Sequence, residues 1–395
     1  MIDTSTIYKQ RNSYHPIIHY IFYSQILINV ILVWAHFFTT KQTLFAPIAM
    51  TILNFGGGVV ERRKYDISII NVYFQAIFQL ISNYISFNYF ILLTQDFLPW
   101  NSFIGITVTI IVFLLMYIPT AIIIWSHISG NLSKLLMSFL LLITIIPSFE
   151  FVISQTIIAK NATANTISNS GFVDAIAFFV LALIIMHNWN FEFPGYKIAN
   201  KTKPWILIAL MIICIWFLLQ NSFGAGKNFF SSFYLFDFSG IHFTVKYVLS
   251  GLKAGIAEET AFRYIFLTIL LIILDRFRYK IFYSALISSF LFGLIHLTNV
   301  SAGQDLPNTL IQVLAAFGIG MLFSSIYLYT GLFIWPVIMH SLIDIFSFSQ
   351  QGMLMTGKVT TDYIIGMIII VLFYLLVSFY LLRQTYLREQ NSWFY

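Results

Sequence analysis

Apolar stretches of about 20 residues, the length a helix needs to cross the hydrocarbon of a bilayer, recur along the whole chain. Candidate spans fall at 17–38, 43–60, 67–93, 103–125, 132–154 and 171–187. After a polar break they resume at 204–223, 247–274, 281–298, 308–328, 331–347 and 362–382. The runs are continuous and lack the two-residue alternation of a membrane barrel. Helix is therefore expected, because a segment surrounded by lipid must satisfy its own backbone hydrogen bonds. The predicted fold class is all-α, a polytopic transmembrane helical bundle of about twelve spans. Gly56, Gly57 and Gly58 make the second span the weakest of the set. The break at 188–203, with Pro194, Gly195 and three lysines, divides the chain into an N-terminal membrane domain of about six spans, 1–203, and a second domain, 204–395.

Composition removes the alternatives. Of 395 residues, 59% are hydrophobic and 9% charged, against about 45–50% and 25% in soluble domains. Such a chain cannot tile a soluble surface, and disorder, a disulfide scaffold and a nucleic-acid-binding role are excluded with it. The single cysteine, Cys214, lies inside an apolar run. The formal charge of +6 belongs to loops that fix orientation. With the N-terminus inside, the inner loops carry clusters such as Lys9 and Arg11, Arg62-Arg63-Lys64, and Arg276, Arg278 and Lys280, whereas the outer loops carry single lysines such as Lys41, Lys160 and Lys227. By the positive-inside rule both termini are cytoplasmic. The most polar connector, 155–170, is then an outer loop, and no cleaved signal peptide is expected, since the first apolar run is too long for one.

Ionisable groups inside spans cost roughly 2.5–3.5 kcal/mol each on insertion scales and mark function by default. Here they gather in one half. The eighth span reads Glu258-Glu259-Thr260-Ala261-Phe262-Arg263; Arg263 lies one turn beyond Glu259 and can pair with it, while Glu258 points about 100° away and has no such local partner. In the ninth span Phe292 and His296 share a face at i, i+4. In the eleventh, His340 and Asp344 share a face, and the carboxylate can hold the imidazole's tautomer. Pro336, four residues before His340, predicts a local kink. Counted at about 1.5 Å per residue, Glu258, His296 and His340 fall at similar depths in the outer part of the bilayer, on three antiparallel helices.

These motifs in this order, Glu-Glu-x3-Arg, Phe-x3-His and His-x3-Asp, resemble the CPBP intramembrane protease family, named for CAAX proteases and bacteriocin-processing enzymes and also called the Abi family. The resemblance covers about residues 204–382. It implies a membrane endopeptidase, in a bacterial plasma membrane, that hydrolyses a peptide bond of a membrane-associated peptide or protein. Glu258 and His296 would activate a water, and His340 and Asp344 would complete the catalytic set. Glu259, Arg263 and Phe292 would support it. The last position is usually Asn in CAAX-type members. An ionised Asp344 cannot donate to an oxyanion as an amide can, which leaves it orienting His340 as the alternative role. The family carries the name metalloprotease, and the donor types suit Zn²⁺; a bound metal would be held by Glu258, His296 and His340, while a metal-free, glutamate-activated water is the other reading. Two further functions stay open on sequence, a non-catalytic scaffold or bacteriocin-immunity protein with the same fold and an ion-coupled transporter.

Overall fold

The computed structural model describes residues 16–392 except 41–42, 59, 61–66, 95, 99–101, 147–165, 168, 194–197, 201, 227 and 354–357. The inner-loop residues Lys9, Arg11, Arg62, Arg63 and Lys64, the lysines Lys41, Lys160 and Lys227, the break residues Pro194 and Gly195, and most of the 155–170 connector lie outside the described residues.

The described chain is helical, with α1 (Pro16–Thr40), α2 (Phe45–Gly57), α3 (Ile67–Thr94), α4 (Phe103–Ile123), α5 (Asn131–Ile145), α6 (Phe172–Asn188) and α7 (Pro204–Phe223). Then follow α8 (Val245–Glu259), a π-helical segment Thr260–Phe266, α9 (Leu267–Ile273), α10 (Lys280–Ile295), α11 (Leu306–Thr330), α12 (Ile334–Gln351) and α13 (Thr361–Ser392). No β-strand occurs among the described residues, and the one isolated bridge joins Gly224 to Phe236. The all-helical membrane class is as expected. Of the twelve spans expected, seven described helices, those at 17–40, 69–94, 103–127, 204–223, 280–300, 306–330 and 361–388, are long and apolar enough to cross a bilayer. The helices Phe45–Gly57, Asn131–Ile145 and Phe172–Asn188 are apolar but shorter. The run Val245–Ile273 and α12 hold the polar cluster, which lowers their apolarity.

The chain divides into two compact units. The first comprises Met1–Ser129, Phe151–Ala164 and Leu183–Phe191. It contains α1 to α4, held around an uncharged amide stripe. Gln75, Gln79 and Asn83 recur at i, i+4, i+8 on one face of α3 and are buried. Asn83 Oδ1 accepts from Gln25 Nε2 (2.9 Å) and Asn29 Nδ2 (2.8 Å) of α1, and its Nδ2 donates to Met116 O (2.9 Å) and Thr120 Oγ1 (3.1 Å) of α4. In α2, a Cβ on Gly56 would stand 2.7 Å from Gln75 Nε2 and one on Gly57 3.1 Å from Gln79 Nε2. The glycines that weakened the second span as a sequence signal therefore let α2 close on the amides of α3.

The second unit comprises Gly130–Glu150, Asn165–Ala182 and Glu192–Tyr395. Its core joins Leu210, Cys214 and Phe217 of α7 to Leu322 and Ile326 of α11 and Tyr374 of α13. Asp305 caps α11 by accepting from Asn308 N at 2.8 Å, and Gly331, at φ +75°, ends it in the left-handed conformation that a Cβ disfavours. This turn makes α12 begin only at Ile334. Pro336 therefore sits in the first turn, where its missing N–H would have had no partner. The kink expected around His340 loses its cause.

Candidate active site

The site begins with close helix packing. Gly251 and Gly255 lie one turn apart on α8 and face α12. A Cβ on Gly251 would stand 2.7 Å from the Ile345 backbone nitrogen, and one on Gly255 2.7 Å from Val337 O and 2.8 Å from Ser341 N. Small residues at this spacing let membrane helices approach backbone to backbone. The next turn of α8 is thereby pressed against the middle of α12, and Glu258 and Glu259 meet His340 and Asp344.

Glu259 is the hinge of the cluster. It is fully buried with Arg263, whose Nε lies 3.0 Å from Glu259 Oε2, as the i, i+4 spacing predicts. Its other oxygen, Oε1, accepts from His340 Nδ1 at 2.8 Å. The acid that orients His340 is thus Glu259 from the neighbouring helix. Asp344, expected in that role from its position on the same helix, has Oδ2 3.6 Å from His340 Nε2, beyond an ordinary hydrogen bond. With Nδ1–H held by Glu259, Nε2 is the free ring nitrogen. It faces Asp344 and also Glu258, whose Oε2 is 3.9 Å away. Glu258 Oε2 has no hydrogen-bond partner among the described residues. The Glu258 and Asp344 side chains are 27% and 23% exposed, whereas Glu259 and Arg263 are at 0%. Two partly exposed carboxylates therefore flank one imidazole nitrogen, beside a sealed ionic pair.

Phe292 connects the third helix. Its ring makes edge contacts with His296 (centroids 5.2 Å) and His340 (5.8 Å), so the two imidazoles are no farther apart than the sum of these distances. The Arg263 guanidinium carbon lies 4.7 Å over the same ring. Arg263 Nη1 and Nη2 lack hydrogen-bond partners among the described residues, and the ring face supplies part of the missing stabilisation as a cation–π contact. His296 itself caps the end of α10, where the chain passes into a 3-10 turn, His296–Val300. It is only partly buried.

A π-helical segment seats the arginine. Over Thr260–Phe266 the backbone opens to i→i+5 bonding, with Leu267 N donating to Phe262 O. Ser288 Oγ of α10 also donates to Phe262 O at 2.6 Å. Such bulges in a helix frequently mark functional sites. Here the bulge immediately follows the two glutamates and lies wholly in the interior.

Every sequence-derived site residue is accounted for by this geometry. Glu258, Glu259, Arg263, His340 and Asp344 form one cluster, and Phe292 and His296 join it through ring contacts. Gly251, Gly255 and Ser288 were missed. The Gly-x3-Gly spacing was a readable signal for the first two, while a lone serine in an apolar helix carried none. Among the described residues no three His, Cys, Asp or Glu side chains stand gathered as a ready-made ion site. The Nδ1–Glu259 bond leaves His340 Nε2 as the ring nitrogen open to a water or an ion. Cys214 is a buried free thiol in α7, outside the cluster.

No curated protein and no solved structure matches the chain. Residues 240–346, which hold all the cluster residues, match the family model described as type II CAAX prenyl endopeptidase Rce1-like, a segment of the CPBP family that the motifs resemble.

Proposed function

We propose that this protein is an intramembrane endopeptidase that hydrolyses a peptide bond of a membrane-associated peptide or protein with a water activated by side chains. One observation carries the reading: a single imidazole, tied through Nδ1 to a buried carboxylate at 2.8 Å, presents Nε2 to two partly exposed carboxylates at 3.6 and 3.9 Å. Peptide hydrolysis requires a base for the water and a donor for the oxyanion, and this arrangement supplies both.

In this reading Glu258, the carboxylate without a hydrogen-bond partner, takes a proton from the attacking water, assisted by His296. The water oxygen bonds to the scissile carbonyl carbon, and charge develops on the carbonyl oxygen. His340, carrying a second proton on Nε2 and steadied by Glu259, donates to that oxygen. Collapse of the intermediate breaks the C–N bond, and Glu258 returns its proton to the departing amine. Asp344 stands beside Nε2 and favours its protonated form by charge; as a carboxylate it does not donate to the oxyanion. Arg263 and Phe292 touch no substrate and are positioning residues. The catalytic part is the segment 204–395 with the described pieces of 130–182 that pack in the same unit.

The test is hydrolysis of membrane-inserted and lipid-tailed peptides by the purified full chain in lipid, with new termini found by mass spectrometry. Glu258→Gln keeps shape and removes the base, so the rate should fall by about 10²–10⁴-fold. Equal cleavage by the variant and the wild type overturns the proposal.

A further inference from the structure

The helices of the second unit sort their ends into two chemically different groups. The start of α7, the α9–α10 loop, the end of α11 and the end of α13 meet in one of them. Arg388 Nη2 of α13 donates to Tyr329 O of α11 at 2.7 Å, the Tyr329 hydroxyl accepts from Lys203 N at 3.2 Å, and Arg278 Nε donates to the Tyr386 hydroxyl at 3.4 Å. This end carries Lys203, Arg276, Arg278, Lys280, Arg383 and Arg388. The opposite end joins the segment after α7 to the start of α13, where Phe229 N donates to Asp362 Oδ2 at 3.0 Å. It also joins the segment before α8 to the end of α12, where His242 N donates to Ser349 O at 2.8 Å. Among the described residues, the loops and first helical turns here carry Lys246 and Lys358 beside Asp237, Asp305 and Asp362. The positive-inside rule assigns the end with six cations to the cytoplasm.

Three helices carry the catalytic cluster, and on each the exposed member lies on the side away from those cations. The run from α8 to α9 heads toward the α9–α10 loop, so partly exposed Glu258 stands farther from the cations than the sealed Glu259 and Arg263. α10 begins at Lys280, so partly buried His296 stands beyond buried Phe292. α12 begins just past Gly331, at the cationic end of α11, so partly exposed Asp344 stands beyond buried His340. From Lys280 to His296 the chain climbs about 24 Å at 1.5 Å per residue, through a hydrocarbon layer about 30 Å thick. A carboxylate facing lipid is costly, so the side that exposes Glu258 and Asp344 is wet.

We propose that the cluster opens to water from the end opposite the cations, on the non-cytoplasmic face. Its substrate is then an exported peptide or the outward-facing segment of a membrane protein, not a cytosolic tail. The substrate class rests on the protease reading above; the direction of opening does not.

The test uses the full chain in right-side-out and inverted membrane vesicles. Cys214→Ala removes the native thiol, and single cysteines are introduced by Asp344→Cys, Glu258→Cys, Thr298→Cys and Phe277→Cys. Thr298 and Phe277 are exposed beyond His296 and in the cationic α9–α10 loop, respectively. A sulfonated methanethiosulfonate reacts with water-exposed thiolate and, being charged, does not cross hydrocarbon. The thiols of Asp344→Cys, Glu258→Cys and Thr298→Cys should react at least ~10-fold faster in right-side-out vesicles, and that of Phe277→Cys at least ~10-fold faster in inverted ones. Glu258→Cys guards against an Asp344 variant that does not fold. Site cysteines that react from the same side as Phe277→Cys, or from neither side, overturn the proposal. So does the reversed pattern, with Thr298→Cys labelled only in inverted vesicles. A water-soluble peptide cleaved by the purified chain should be cut by right-side-out vesicles and spared by inverted ones; the reverse overturns the substrate class. If the purified chain cleaves nothing while the labelling pattern holds, the protease reading falls with its substrate class and the direction of opening stands.

Discussion

The two units solve the same problem, polar side chains inside apolar helices, in opposite ways. In the first, Gln25, Asn29, Gln75, Gln79 and Asn83 are neutral, buried and bonded to one another or to backbone carbonyls. In the second, the cluster carried by α8, the π-helical segment and α12 is ionic, and only part of it is sealed. Glu259 and Arg263 are closed off and mutually paired, while Glu258 and Asp344 keep about a quarter of their surface exposed. A neutral network that spends its donors internally glues helices together. An ionic network that leaves one carboxylate and one ring nitrogen uncommitted is what the proposed proton transfer would need. The contrast lies in satisfaction as much as in charge.

The sharpest way to break the contrast is to unseal the ionic base. Glu259→Gln leaves Arg263 as an uncompensated buried cation and leaves one amide oxygen where two carboxylate oxygens served His340 and Arg263 separately. Loss of one partner of a buried pair costs about 3–5 kcal/mol, so a large fall in thermal stability should accompany near-complete loss of peptide hydrolysis in the folded fraction. If Glu259→Gln is as stable and active as the wild type, Glu259 is not the hinge. Next comes Gly255→Ala. The added Cβ meets Val337 O at 2.7 Å, forcing α8 and α12 apart, at about 1–3 kcal/mol for overpacking. A shift there moves Glu258 away from His340 Nε2, so kcat should drop more than KM rises. An alanine at Gly58, whose φ is −67° and whose Cβ would meet nothing closer than 3.4 Å, serves as the control.

These two predictions also mark where the sequence stopped being readable. That Glu258, Glu259, Arg263, His296, His340 and Asp344 mattered was legible, because a charge in an apolar run has a cost that only a partner or a function repays. Pairings within one helix were legible too: Glu259–Arg263 and Phe292–His296 follow from i, i+4 spacing. The pairing across helices was not. Asp344 looked like the orienter of His340 because it shares a helix with it, and the closer acid turned out to be Glu259, 81 positions away. That choice depends on the α8–α12 approach, which Gly251 and Gly255 set; their spacing signals a close helix contact without naming the partner helix. Of the twelve expected spans, seven meet the length and apolarity of a crossing helix among the described residues, while the run Val245–Ile273 carries the polar cluster and a helix such as Phe45–Gly57 is short.

The amide stripe gives a smaller effect. Asn83→Leu removes four hydrogen bonds and strands Gln25 Nε2 and Asn29 Nδ2. Side-chain bonds between membrane helices average about 0.6 kcal/mol and reach ~1.7, so about 1–2 kcal/mol of stability should go. Hydrolysis per folded molecule should stay within about 2-fold of wild type if the stripe is glue. A catalytic loss as large as that of the Glu258 variant would erase the contrast between the two units.

The smallest effect belongs to an ion pair that is neither sealed nor poised. Asp275, in the loop between α9 and α10, is 68% exposed and lies 2.7 Å from Lys280 Nζ. The hydrogen bond from Lys280, then its charge, hold the Asp275 carboxyl below its ordinary range. A carboxyl lowered in the folded state contributes stability above its unfolded value and loses it as the pH falls through the folded one. Asp275→Asn should therefore leave the melting temperature almost unchanged near neutrality and slightly flatten its decline in acid. Solvent screens such pairs, and salt at 1 M, where the Debye length is about 3 Å, should remove even that difference. Were Asp275→Asn to cost as much stability as Glu259→Gln, burial would not be what separates a structural charge from an idle one, and the contrast drawn from Glu259 and Glu258 would lose its physical basis.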